Sequence, residues 1–153
     1  MNTDTTTTVA ALKQLVDDFV DRRDWHRFHA PKNLAMSLAI EAAELMEHFQ
    51  WISAEESRRA TRDADRLAAV GDELADVVCY ALAMANELGL DLSTAIRGKI
   101  AKNERKYPAE EYRGRYGPED TGKETGPVRA GKEAGKEGGT AKGKGPKRKP
   151  RGV

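Results

Sequence analysis

The chain has 153 residues, with 26 Lys and Arg against 25 Asp and Glu and a formal charge of +1. Its single cysteine, Cys79, excludes an internal disulfide and a cysteine-based zinc site. No apolar run approaches the roughly 18–20 residues that span a bilayer.

The charge is unevenly distributed. Residues 121–153 carry ten basic and three acidic side chains, nine of the 14 glycines and no aromatic. Such a stretch buries too little apolar surface to offset the entropy of ordering it. The expected organisation is a flexible Thr-rich N-terminus over 1–8, a folded domain over 9–116, and a disordered basic Gly/Lys-rich tail over 117–153. The N-terminus lacks the basic-then-apolar order of a signal peptide, so a cytoplasmic protein with no membrane association is expected.

Val9, Leu12, Val16, Phe19 and Val20 recur at three-to-four spacing among Lys13, Asp17, Asp18 and Asp21, which predicts an amphipathic first helix. Pro31 suits the first turn of a second helix running from Lys32 to about Gln50. Ser53-Ala-Glu-Glu56 reads as a capping box opening a short polar helix. A long helix follows from about Asp65 to Leu88, stopped by Gly89. Asp91 can cap a last helix over Leu92 to Lys106, and Pro108 prevents its extension. No segment alternates with period two, so the fold class is all-α.

Two helices stand apart. Residues 34–46 read LAMSLAIEAAELM, whose only charges are Glu41 and Glu44. Residues 74–86 read LADVVCYALAMAN, charged only at Asp76, with Glu73 just ahead. Helices apolar around most of their circumference are normally buried, and buried carboxylates are costly unless paired or bound to a metal. Each pair is spaced i,i+3 and so shares a helix face. Four carboxylates converging on one volume need cations between them, and all-oxygen ligands favour Mg²⁺ or Mn²⁺. A lone Glu-x-x-Glu in a charge-rich chain is usually a solvated surface feature. The duplicated pair in apolar surroundings argues for the metal. A di-iron bundle would need Glu-x-x-His, and none of His26, His29 and His48 lies three residues after a Glu.

The arrangement Glu41-x-x-Glu44, 28 intervening residues, then Glu73-x-x-Asp76 resembles the signature of the all-α nucleoside triphosphate pyrophosphohydrolases, the MazG-like superfamily. Arg23-Asp24-Trp25-x-x-Phe28-His29-x-Pro31-Lys32-Asn33-Leu34 resembles the segment before the metal helix in the dCTP pyrophosphatase subgroup. Phe49-Gln50-Trp51, Asp76-Val77-Val78-x-Tyr80 and Lys99-x-x-x-Asn103-x-Arg105-Lys106-Tyr107-Pro108 resemble that subgroup as well. The histidine that the subgroup places in its first helix has no counterpart in Leu15-Val16-Asp17.

The resemblance implies a four-helix-bundle fold completed by oligomerisation, as a homodimer or homotetramer. It implies Mg²⁺-dependent hydrolysis of a nucleoside triphosphate, dCTP or a modified dCTP favoured, to the monophosphate and pyrophosphate, in nucleotide-pool housekeeping. Glu41, Glu44, Glu73 and Asp76 would hold the metal, and either Glu41 or Glu44 would orient or deprotonate the attacking water. Lys99, Asn103 and Arg105 would complement the phosphates; the plainer reading of the two cations is interaction with a helix C-terminus. Trp25, Trp51 and Tyr80 would hold the base, although each taken singly also suits a core. His29 is either a substrate contact or a polar loop residue. Asn33 either recognises base or sugar, or builds the turn into the helix. The rival function is a non-catalytic helical module that captures nucleotide or nucleic acid, resting on the basic tail alone.

Overall fold

In the computed structural model the described residues are 3–59 and 62–115. The chain divides into two compact units, 1–109 and 110–153. The tail expected over 117–153 lies outside the described residues.

Helix α1 spans Val9–Asp21, opened by Thr8, whose hydroxyl accepts from the Ala11 amide at 3.1 Å. A 3₁₀ turn over His26–Phe28 leads to α2, Pro31–Glu47, with Pro31 in its first turn. The short α3, Ala54–Ser57, is closed by the expected capping box: Ser53 Oγ accepts from the Glu56 amide at 3.2 Å, and Glu56 accepts from the Ser53 amide at 2.9 Å. Helix α4 spans Ala64–Glu87, capped by Asp63. Gly89, at φ +61°, ends it in the left-handed conformation that glycine adopts without steric cost. Helix α5 spans Leu92–Lys106; Asp91 caps it by accepting from the Thr94 amide at 2.7 Å. In the first unit, then, the expected helices all form. Helix α6, Ala109–Tyr112, and the 3₁₀ turn were not anticipated, because segments of three or four residues carry no periodicity to read.

The long α4 is the axis. Helix α2 runs antiparallel to its first half: the Arg66 guanidinium donates to the His48 carbonyl at one end, and Glu41 stands opposite Glu73 and Asp76 further along. Helix α1 runs antiparallel to its second half, tied by Asn86 Nδ2 donating to the Lys13 carbonyl at 2.9 Å. The enclosed core is small, consisting of Val20, Leu34, Leu82, Ala83 and Ala85 among the described residues. Helix α5 is anchored at its start, where Lys13 Nζ donates to the Leu90 carbonyl at 2.7 Å, and it packs lengthwise along none of α1, α2 and α4.

Two expectations need correction. The second helix stops at Glu47 rather than near Gln50, because the Phe49 and Gln50 amides both turn back to the Met46 carbonyl. The carboxylate-bearing helices are also not buried all round. Met36, Ile40 and Met46 of α2 and Leu67, Leu74 and Val78 of α4 stay exposed, and only Leu34 of α2 is buried. The reason is geometric: two antiparallel helices cover one stripe of each other and leave the remaining circumference open. No helix among the described residues is long and apolar enough to cross a membrane.

Candidate metal and nucleotide site

The antiparallel register of α2 on α4 brings carboxylates from two helices together. One oxygen each from Glu41, Glu73 and Asp76 lies within 4.8 Å of the others. Glu44 falls outside this triad and is exposed, one turn along α2. It still acts on the cluster. The Glu41 carboxyl is held above its ordinary value, first by desolvation and then by the negative charges of Glu44, Asp76 and Glu73. The charges that raise Glu41 are all carboxylates, and the adjoining cavity is lined by one arginine, Arg22. Three hard oxygen donors at this spacing can hold a divalent metal ion, and the residual repulsion is what such an ion would relieve.

Beside Asp76 opens a cavity of about 600 Å³ between α1, the turn after it and α4. Trp25, His29 and Tyr80, each marked from the sequence, lie in its wall next to Asp76. Phe19, Val16 and Cys79 line it too and were not marked as site residues in the sequence. Phe19 and Val16 follow the three-to-four spacing of α1 and so read as ordinary core; no signal in one sequence separates a cavity wall from a core face. The Cys79 thiol is pushed up in pKa, mainly by desolvation and secondarily by Asp76.

The turn into α2 is stiffened from within. Asn33 Nδ2 donates to the Phe28 carbonyl at 3.0 Å, so its amide closes the loop that carries His29. Trp51 stands at the far end of α2, 87% exposed and away from the cavity that Trp25 lines. Lys99, Asn103 and Arg105 all sit on α5, which does not pack along the carboxylate-bearing helices. Within one chain the acidic cluster and the aromatic cavity therefore adjoin, while the basic residues and Trp51 stay apart from them.

A profile of the MazG-like family matches residues 36–116, a stretch that includes all four carboxylates. The chain belongs to the MazG-like family. Among its relatives, dCTP pyrophosphatase 1 of Rattus norvegicus is 39% identical over 108 residues, covering 70% of this chain and 63% of that protein. Human dCTP pyrophosphatase 1 is 37% identical over 102 residues, covering 67% of this chain and 60% of that protein. The chain thus spans somewhat under two thirds of the length of these relatives. A pyrophosphatase of known structure from Archaeoglobus fulgidus DSM 4304 superposes with a TM-score of 0.59 at 40% identity, covering 63% of this chain and 89% of that one. Among the described residues this MazG-like chain is all-helical, and within the matched stretch the antiparallel α2–α4 pair carries Glu41, Glu73 and Asp76.

Proposed function

We propose that this chain is a nucleoside triphosphate pyrophosphohydrolase that requires Mg²⁺, with Mn²⁺ as a substitute, and acts on dCTP or a modified dCTP. The observation that carries the reading is the adjacency of the Glu41, Glu73 and Asp76 cluster to a cavity walled by Trp25 and Tyr80. A triphosphate and a flat base need such neighbours: a metal-binding acidic patch and aromatic surface within one nucleotide's reach. The relatives named for dCTP pyrophosphatase activity support the substrate.

In this reading Glu41, Glu73 and Asp76, with Glu44 beside them, hold the metal, whose role is to neutralise phosphate charge and polarise the attacked phosphorus. Either Glu41 or Glu44 would orient or deprotonate the attacking water. Trp25 and Tyr80 present ring faces to the base, and His29 meets its polar edge or the sugar. The apolar lining by Val16 and Phe19 leaves selection among bases mainly to shape and stacking.

The working unit in this reading is at least a dimer. The exposed apolar residues of α2 and α4, together with Ile96 and Ile100 of α5, form more open apolar surface than a self-sufficient helical chain carries. Charge points the same way. Helix α5 bears Arg97, Lys99, Lys102, Arg105 and Lys106 against Glu104 alone, whereas the middle of the α2–α4 pair bears Glu41, Glu44, Glu47, Asp72, Glu73 and Asp76. Docking α5 of a second copy near that face would add phosphate-binding cations beside a predominantly anionic cluster, with Asn103 alongside. Pyrophosphate release from a panel of nucleoside triphosphates, with and without Mg²⁺, tests the activity. A protein that binds nucleotide with no turnover under any of these conditions would favour the non-catalytic module.

A further inference from the structure

Helix α1 ends in an arrangement that shapes one wall of the cavity. The Asp24 and Trp25 amides return to the Asp21 and Val20 carbonyls at 2.9 and 3.2 Å, a Schellman closure with Asp24 in the left-handed position at φ +52°. That position is ordinarily glycine's, and it throws Trp25 back across the end of α1. The Trp25 ring meets the Phe19 ring edge-on, with centroids 5.9 Å apart and planes at 75°.

Arg23 lies over this pair. Its guanidinium carbon is 3.6 Å from the centre of the Phe19 ring and 5.7 Å from that of Trp25. Its Nη1 donates to the Phe19 carbonyl at 2.9 Å. Among the described residues Arg23 makes no ion pair, so its charge is directed at the two rings and one helix-terminal carbonyl. Phe19 and Trp25 both line the cavity next to Asp76, and Arg23 does not.

We infer that Arg23 is a positioning residue for the nucleotide site: it sets the attitude of the Trp25 ring against Phe19 and thereby the width of the base cavity, without touching the substrate. The inference rests on the proposed function for the cavity. The geometry needs a planar cation. A guanidinium can stack on a ring face while its fork donates to a carbonyl; a lysine ammonium can donate to the same carbonyl but cannot stack.

The test uses the full chain as Arg23→Lys and Arg23→Ala. With Trp51 retained, the KM for dCTP should rise about two- to fivefold in both variants, the scale of an exposed cation–π contact, while kcat stays within about twofold. Separately, in a Trp51→Phe background that leaves Trp25 as the only indole, emission without nucleotide should shift to the red. Acrylamide should quench it more strongly in both Arg23 variants. Arg23→Lys keeps the charge and a donor for the Phe19 carbonyl, so it remains folded even where Arg23→Ala does not. A folded Arg23→Lys protein with unaltered Trp25 emission overturns the inference, leaving Arg23 as a helix cap alone. Altered emission with an unaltered KM overturns the link to substrate. The emission experiment needs no turnover, so its failure is distinguishable from failure of the proposed activity.

Discussion

Glu41 of α2 and Asp76 of α4 place carboxylate oxygens within 4.8 Å of each other across an antiparallel helix pair, with Glu73 completing the group. Like charges at that range repel, and the raised proton affinity of Glu41 registers the repulsion together with desolvation. The charges that raise Glu41 are those of its carboxylate neighbours, which makes the cluster the point where single substitutions should be most informative.

Glu41→Gln and Asp76→Asn should each lower turnover at least about a hundredfold, the scale of losing one preorganised charge-stabilising group. Each should leave the metal-free protein as stable as the parent or more so, because an uncompensated anion is removed. Steady-state pyrophosphate release and chemical denaturation in EDTA check the two halves. Near-normal activity at low Mg²⁺ in either variant would remove the cluster from the mechanism.

Proton linkage gives a second expectation. The folded chain holds the Glu41 proton more tightly than the unfolded chain, whose value is near 4.5. The stability from this group is therefore fully present below that pH and is lost as pH rises through the higher folded value. Metal-free protein should lose stability as pH climbs upward from there, and Glu41→Gln should flatten that part of the profile. Mg²⁺ should act in the opposite sense. It binds the ionised cluster, so it should raise the melting temperature progressively with the logarithm of its concentration, by an amount equivalent to about 1.4 kcal/mol at ten times its Kd, and bind more tightly as pH rises. Thermal melts across pH, with and without Mg²⁺, measure both.

Ile96 and Ile100, one turn apart on α5, are 55% and 51% exposed. Changing both to Glu should leave helicity intact, because α5 packs lengthwise along none of α1, α2 and α4, yet disrupt the proposed subunit association and reduce activity. Light scattering after size exclusion, beside circular dichroism, reads this directly. An unchanged mass in solution would place the subunit contact elsewhere.

Trp25→Ala and Trp51→Ala should behave differently. Trp25 lines the cavity, and losing its stacking face should raise KM roughly five- to a hundredfold, from the ~1–3 kcal/mol seen for a base on an aromatic ring. Trp51 is 87% exposed in the single chain, so its removal should alter subunit association more than the stability of the chain. Kinetics and sedimentation on both variants separate these effects. A Trp25→Ala protein with parental KM would assign that indole to packing.

Much of this protein was legible before any coordinates. Helix periodicity, Ser53 and Asp91 as caps, Pro31 at a helix start and Gly89 at a helix end are local physics, governed by residues three or four apart. The two i,i+3 carboxylate pairs were equally visible, because spacing alone puts them on one helix face. Tertiary structure decided the rest. The antiparallel register of α2 on α4 chose Glu41, Glu73 and Asp76 as the tight group and left Glu44 a turn away. The left-handed Asp24 follows the end of α1, and Trp25 beside it meets Phe19 in the cavity wall. The departure of α5 from the bundle separated Lys99, Asn103 and Arg105 from the carboxylates within one chain. Hydrophobic pattern specifies that a face will be covered, but the burial force is non-directional. Which surface covers that face is settled only by helix register and by the shape of the whole assembly.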